Sequence, residues 1–226
     1  SYSMGYFNTR FGIGNCLIPF AEQYNNGDFI FRTMIYNMSQ VFVGRENNQI
    51  KGMHSSEYKQ YYKPGPYTQQ NKYSQEVIEQ YNENLYIDLY MINNHVASLG
   101  NQNYTVPKAI ANWPAHGDVS KGQAANLAPF MDLNNNGTYD PFLGEYPVFP
   151  GSRCLLNITH QHENDFNGIG SGLELHTYMY KFDCGDSIED VIFVKTQVFN
   201  RGNIDYDSLS SGIIADFDLG GVMDDY

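Results

Sequence analysis

Runs of β-branched and aromatic residues separated by polar turns predict strands in two parts of the chain. The first run covers residues 28–43 and reads as one or two strands interrupted near Asn37. Three further runs, at 173–182, 191–200 and 208–219, follow one another across short turns, and this close succession favours antiparallel pairing of the three. The pattern predicts a mainly β fold, with an antiparallel or sandwich-like sheet.

Helical spacing of apolar residues is limited to short segments. Residues 74–84 predict a helix, because Ser74 can cap its start and apolar residues recur at helical intervals. Residues 85–92 predict a strand, and residues 93–99 predict a short helix that Gly100 ends. We therefore expect one or two short helices beside the sheet.

Prolines and glycines recur through residues 101–150 and exclude long helices or strands there. So long an irregular stretch is uncommon in a folded domain unless something holds it in place, and a bound metal ion would do so. We treat residues 28–226 as one β-rich domain and leave residues 1–27 unassigned. Because the sequence stops within an acidic segment at Tyr226, we expect it to be part of a longer protein.

Composition narrows the classes of protein that fit. Of 226 residues, 42% are hydrophobic and 17% charged, which is typical of a folded chain. The net charge of −12 repels phosphate backbones and argues against a nucleic-acid partner. Carboxylates in this number also supply oxygen ligands for hard cations such as Ca²⁺. No segment approaches the roughly 20 apolar residues of a membrane span.

The strongest chemical signal is a loop with oxygen-bearing side chains at alternate positions, which resembles the calcium loop of an EF-hand. Such alternation turns the oxygens of a tight loop toward one centre, and Gly137 stands where the sharp turn is needed. Leu143 occupies the position of the usual final Glu, and Glu145 can replace it by a longer path. The alternative is an Asn/Gly-rich turn without metal. The predicted Ca²⁺ ligands are Asp132, Asn134, Asn136, Thr138 (through its carbonyl), Asp140 and Glu145.

A second acidic cluster follows the last predicted strand. Asp216 and Asp218 share one side of a strand end, and Gly220-Gly221 lets the chain fold back so that Asp224 can approach them. These carboxylates would repel one another unless a cation neutralised them. We expect a second Ca²⁺ here, with a solvated acidic loop as the alternative.

Other constellations give weaker signals. His160, His162 and His176 could form a zinc hydrolase site with Glu163, although the HEXXH motif is absent. Glu174 could pair with Glu163 or Asp165 as in a glycosidase, but a chain with 25 acidic residues offers many such pairs. Cys154 and Cys184 are candidates for a disulfide in an exported protein. None of these patterns predicts a convincing catalytic centre.

Several motifs, taken in order, resemble one family. They are YYKPGPY at 61–67, IANWPAHG at 110–117, LAPFMDLNNNGTYDPFLGEYP at 127–147, GSGLEL at 170–175, and residues 191–226 with NRG, ADFDLG and DDY. The family comprises large secreted or surface-exposed proteins of Bacteroidota, exported by the type IX secretion system through a C-terminal sorting domain. The resemblance implies an extracellular location on a Gram-negative bacterium and implies no enzyme activity. It also gives weight to Ser187 and Ser208, which fit the Asp-Ser-hydrophobic pattern of O-glycosylation in these bacteria.

These observations favour an extracellular, calcium-stabilised structural or adhesive module. Its partners would be other surface proteins, glycans or further copies of itself. A carbohydrate-binding module is the first alternative, because the chain has 19 tyrosines and Trp113 could stack on a sugar. A metal-dependent or acid-pair hydrolase is the second.

Overall fold

Antiparallel β-strands make up most of the regular structure, which confirms the predicted mainly β class. In the residues described, twelve strands and four short α-helices are present, and every strand pair is antiparallel. The prediction of one or two helices was too low. The computed structural model describes residues 19–23, 29–33, 37–52, 62–82, 84–185 and 187–216.

Most strands and helices are short, but five strands and the helix at residues 89–98 have eight to ten residues. The strands are β1 Pro19–Gln23, β2 Phe29–Thr33, β3 Asn37–Glu46, β4 Gln49–Lys51, β5 Lys63–Pro64, β6 Leu85–Asp88, β7 Phe130–Met131, β8 Tyr146–Pro147, β9 Arg153–His160, β10 Leu173–Lys181, β11 Phe193–Asn200 and β12 Ser208–Asp216. The helices are α1 Gln75–Tyr81, α2 Leu89–Ser98, α3 Lys108–Ala111 and α4 Asp165–Gly168.

The largest sheet is centred on β9. Strand β10 pairs along one side of β9 and β11 pairs with β10, while β5 and β6 share the other side of β9. The predicted antiparallel pairing of the runs at 173–182 and 191–200 is therefore confirmed. Glu174 lies opposite His160 on β9 and opposite Phe199 on β11, so the register brings these three positions to one end of the sheet.

One face of this sheet carries the main hydrophobic core. Leu156, Ile158 and Tyr178 point into it, and the irregular middle of the chain packs on them through Ile110 and Trp113. Each fully buried aliphatic side chain stabilises the fold by roughly 1.5–3 kcal/mol. The prolines of residues 101–150 thus exclude long elements, as predicted, yet the segment still contributes buried residues.

A second sheet has the order β12-β3-β4. The prediction that β12 continues the antiparallel set after β11 was wrong, because β12 pairs instead with β3, far away in sequence. Phe42 of β3 packs against Leu173 and Leu175, which lie on the opposite face of β10 from Glu174. The two sheets therefore contact each other through buried side chains in a sandwich-like manner.

Helix α2 begins earlier than the sequence pattern suggested. The predicted strand at 85–92 ends at Asp88, whose side chain accepts a hydrogen bond from the Met91 amide at 2.7 Å and caps the helix. The helix α1 was predicted correctly in type, but Ser74 makes no capping hydrogen bond with its side chain. None of the helices in the described ranges is long and apolar enough to cross a membrane.

Candidate functional site

The side-chain oxygens of the predicted calcium loop accept hydrogen bonds from the loop's own backbone. The amide of Asn136 donates to Oδ1 of Asn134 at 2.9 Å, and the amide of Thr138 donates to Oδ1 of Asn136 at 2.7 Å. Each oxygen thus accepts from the residue two positions later, which is the Asx-turn geometry. Asp132 accepts from the amide of Gly137 at 2.8 Å, and the positive φ of 74° at Gly137 makes this sharp return possible.

Asp140 closes the same loop. Its Oδ2 accepts a hydrogen bond from the side-chain amide of Asn136 at 3.0 Å, so the ninth residue of the loop meets the fifth. The amide of Asn136 also lies 3.2 Å from Oδ1 of Asp132. Oxygens of Asp132, Asn134 and Asp140 therefore all accept hydrogen bonds from Asn136, and their role as Ca²⁺ ligands stays a prediction.

Glu145 is buried beneath the loop with 1% of its surface exposed. Its Oε1 accepts from the amide of Leu133 at 3.0 Å, and its Oε2 accepts from the amide of Asp140 at 2.7 Å. The carboxylate therefore joins the two ends of the loop. The structure shows Glu145 as an anchor of the loop, and its role as a Ca²⁺ ligand stays a prediction.

The Trp-Pro-Ala-His-Gly segment supports the loop from behind, a role that the sequence did not reveal. His116 Nε2 accepts from the amide of Tyr139 at 3.1 Å, which places the ring proton on Nδ1, toward the Ala125 carbonyl. Tyr139 donates its hydroxyl to the carbonyl of Ile110 at 2.8 Å, and burial raises the pKa of this hydroxyl. The indole of Trp113 donates to the carbonyl of Pro129 at 2.9 Å. Two separate motifs thus form one structural unit.

The chemistry of the loop suits a hard cation. Its side-chain donors are carboxylate and amide oxygens, with neither sulfur nor imidazole in the set, and such oxygens are the ligands of Ca²⁺. No described Lys or Arg forms an ion pair with Asp132, Asp140 or Glu145. The residues present therefore fit Ca²⁺, and its binding stays a prediction.

The second predicted calcium cluster lies largely outside the described residues. The backbone of Asp216 ends β12, but its side chain, and the whole of Asp218 and Asp224, lie outside the described residues. Ser187 and Ser208 are both exposed, in positions that a glycan could reach. Their O-glycosylation stays a prediction.

The predicted Cys154–Cys184 disulfide is not present. Cys154 is buried in the main core opposite Tyr180, whereas Cys184 lies in an exposed turn beyond the end of β10. The strand direction therefore carries the two thiols to different environments. Burial raises the pKa of the Cys154 thiol to about 12, so this group stays protonated and packs as a small apolar side chain.

Glu174 forms the centre of a buried polar network. It has no exposed surface and accepts hydrogen bonds from the Tyr67 amide at 2.7 Å, from His176 Nε2 at 3.0 Å and from Arg201 Nη2 at 3.1 Å. Burial alone would raise the pKa of Glu174, but the hydrogen bonds and the nearby positive charge lower it below the usual value. The side chain is thus an internal anion with its partners already in place.

The three predicted zinc histidines do not form a metal site. His160 ends β9 and its Nδ1 lies 2.9 Å from the carbonyl of Gly65, while His176 bonds Glu174 and His162 lies beyond the strand against the ring of Tyr67. Burial lowers the pKa of His160 to about 4. Within the described ranges, no group of three or more His, Cys, Asp or Glu side chains is placed to hold a metal ion.

The acidic partners of those histidines have structural contacts instead. Asp165 accepts from the amide of His162 at 2.9 Å and pairs with the Lys63 ammonium at 2.6 Å. Glu163 accepts a short hydrogen bond from the hydroxyl of Tyr67. The Pro-Gly-Pro segment at residues 64–66 brings these side chains together. The amide of Gly65 donates to the carbonyl of Ile158 at 2.8 Å, and this places Tyr67 over the end of β9.

Comparison with known proteins adds no family. No protein-family model matches the chain, and searches of curated proteins and of solved structures find no significant match. The resemblance to surface proteins of Bacteroidota therefore stays a prediction from the motifs.

Proposed function

We propose that this chain is a calcium-stabilised structural or adhesive module at the outer surface of a Gram-negative bacterium, exported by the type IX route. The loop at 132–140 carries the proposal. Its side-chain oxygens accept hydrogen bonds from the loop's own backbone, and both of its ends are anchored by the buried Glu145. The resemblance of its motifs to those of Bacteroidota surface proteins supports the proposed location.

The donor set favours Ca²⁺ over other biological cations. Zn²⁺ prefers sulfur and imidazole, and Mg²⁺ demands strict octahedral geometry, while Ca²⁺ accepts a flexible set of carboxylate, amide and carbonyl oxygens. The loop offers two carboxylates, Asp132 and Asp140, with neutral amides between them. Sites with so few carboxylate ligands resemble the weak Ca²⁺ sites of extracellular modules, whose dissociation constants are about 10⁻⁴–10⁻³ M.

The role of the ion is mechanical. Asp132 and Asp140 are the ends of a segment that reaches the core through His116 and Tyr139, so an ion that holds both carboxylates restrains residues 101–150 against the main sheet. Because the ion binds the folded state, it stabilises the protein by RT ln(1 + [Ca²⁺]/Kd). At one hundred times the dissociation constant this amounts to about 2.7 kcal/mol.

Calorimetry and thermal unfolding test the proposal. We expect titration calorimetry to show one Ca²⁺ bound at the loop at 132–140. The melting temperature should rise with Ca²⁺ and fall with EGTA. Asp132→Asn should remove most of this response, whereas Asp205→Asn, at an exposed aspartate outside the loop, should keep it. A melting temperature that is the same in Ca²⁺ and EGTA would overturn the proposal, and an equal response to Mg²⁺ would overturn the assignment of the ion.

Cell-surface exposure is tested separately. Protease added to intact cells should remove the protein, and disruption of the type IX machinery should retain it inside. If protease treatment of intact cells left the amount of this protein unchanged, the proposed location would be contradicted. That result would not bear on Ca²⁺ binding.

The hydrolase alternatives gain no support. Glu174 is buried and already bonded to Arg201 and His176, and Asp165 is paired with Lys63. The carbohydrate-binding alternative loses Trp113 as a sugar platform, because this side chain is 4% exposed and belongs to the core.

A further inference from the structure

A polar cleft opens at the end of the large sheet where β9 and β11 end and β10 begins. Its volume is about 670 Å³. Five amide side chains line it, together with two aromatic rings, one carboxylate and one guanidinium, and no aliphatic side chain takes part. The lining residues are Tyr67, Gln69, Gln70, Asn71, Gly122, His162, Glu163, Asn164, Arg201 and Asn203.

Three separate segments supply most of the walls, and Gly122 adds a fourth contact. The segment after β5 contributes Tyr67 and residues 69–71, the turn after β9 contributes Glu163 and its two neighbours, and the turn after β11 contributes Arg201 and Asn203. These segments are distant in sequence and meet here because β9, β10 and β11 are antiparallel neighbours. The cleft is thus a product of the sheet topology.

The cleft is held in shape by the buried network beneath it. Glu174 accepts from the amide of Tyr67 and from the guanidinium of Arg201, so one internal anion positions two walls. The hydroxyl of Tyr67 then bonds Glu163 across the floor. Glycine at 202 is needed, because a Cβ there would lie 2.8 Å from the backbone Cα of Gly172, with Oε2 of Glu163 at 3.0 Å. A site held in this way loses little entropy when a ligand binds.

The charges that line the cleft argue against an ionic ligand. Arg201 is the one cation among the lining residues, and its Nε and Nη2 are already bonded to Glu174. Glu163 adds a carboxylate that repels anions, while a single carboxylate does not hold a metal ion. The five side-chain amides carry no charge.

We propose that this cleft binds a neutral oligosaccharide. A sugar hydroxyl both donates and accepts hydrogen bonds, and a side-chain amide offers both functions in one rigid plane. Gln70, Asn71 and Asn203 are exposed at the rim and supply such amides from both sides. A peptide is the weaker match, because the cleft lacks the apolar pockets that read peptide side chains.

The inference deepens the adhesive role proposed above by naming the partner class, and it rests on that role for the choice of an extracellular glycan. It does not rest on Ca²⁺, since no lining residue belongs to the loop at 132–140. Failure of glycan binding and failure of calcium stabilisation are therefore separate results.

The test uses the whole chain on an array of neutral, sialylated and sulfated oligosaccharides, followed by titration calorimetry with the tightest-binding glycan. We expect a neutral oligosaccharide to bind. Asn71→Ala and Asn203→Ala, from opposite walls, should each weaken this binding by about tenfold, the equivalent of one lost hydrogen bond. Gln102→Ala removes an exposed amide outside the cleft and serves as the matched control.

Melting temperatures of all three variants should match the parent, because Gln102, Asn71 and Asn203 are exposed. The proposal is overturned if no neutral oligosaccharide binds, if binding survives both cleft substitutions, or if acidic glycans bind in preference. A random-peptide display library is screened in parallel. Peptides whose binding requires Asn71 and Asn203, in the absence of any bound glycan, would assign the cleft to peptides and also overturn it.

Discussion

Carboxylates are handled in two opposite ways by the loop at 132–140 and by the network around Glu174. Glu174 is buried with a guanidinium and an imidazole as partners, so the fold itself supplies its positive charge. Asp132 and Asp140 have backbone and side-chain amides as partners and no described cationic side chain. One acidic site thus carries its own counterion, while the other has none among the described side chains, and this difference motivates the proposed Ca²⁺ site.

The largest expected effect comes from removing the internal anion. Glu174→Ala leaves Arg201 and His176 without their partner, and breaking a buried pair costs about 3–5 kcal/mol. We expect the free energy of unfolding, measured in urea, to fall by this amount equally in Ca²⁺ and in EGTA. Glu79→Ala, at an exposed helix position, is the control and should change it by less than about 0.5 kcal/mol. If Ca²⁺ restored the lost free energy of unfolding, the distinction between the two acidic sites would be contradicted.

Acid should weaken the network by another route. Burial lowers the pKa of His160 to about 4, whereas the unfolded chain protonates this residue near pH 6.5. Between these values the unfolded state binds more protons, so stability falls as the pH falls, by up to about 1.4 kcal/mol per pH unit. His160→Asn keeps a donor for the Gly65 carbonyl but does not titrate. Its stability should fall less steeply from pH 6.5 to 4.5, and an unchanged slope would contradict the assignment.

A smaller effect is expected at the anchor of the loop. Glu145→Ala removes the acceptor of the Leu133 and Asp140 amides, and unsatisfied buried groups of this kind cost about 1–3 kcal/mol. Here the comparison predicts a second consequence, because a loop with loose ends should also bind Ca²⁺ more weakly. Calorimetric titration of Ca²⁺ would show this, and an unaltered affinity would separate the anchor from the ion site.

The smallest effect concerns the support behind the loop. Tyr139→Phe keeps the ring that packs on Phe130 and removes the hydrogen bond to the Ile110 carbonyl. We expect a loss of about 1 kcal/mol. The Ca²⁺ response should persist, since the ring still fills its place. Thermal unfolding with and without EGTA measures both quantities, and loss of the response would make the hydroxyl part of the ion site.

Local patterns in the sequence predicted what depends on neighbours in the chain. The pairing of β10 with β11 followed from two β-rich runs across a short turn, and the turns at Asn134 and Asn136 followed from the Asn/Gly-rich composition around Gly137. Helix α2 was placed too late, because residues 89–92 suit a strand as well as a helix and the capping role of Asp88 decided between them.

Contacts between distant segments were beyond the reach of such patterns. The partner of β12 is β3, and no local feature of either strand specifies the other. Tyr67 and Arg201 were not singled out, because their meeting at Glu174 depends on the register of the sheet. Trp113 suggested a sugar platform from its type alone, and its burial depends on how the irregular middle folds over the core.

The register of β3 with β12 has a consequence under load. Asn37 lies opposite Asp216, so the segments that precede β3 and follow β12 leave the sheet at the same end. Tension applied through those two segments would pull the ladder apart as a zipper, one pair at a time, instead of shearing all its hydrogen bonds together. Under such a load the pairs at Asn37–Asp216 would be the first to separate, and the contact of Phe42 with Leu173 and Leu175 would be reached only later in the ladder.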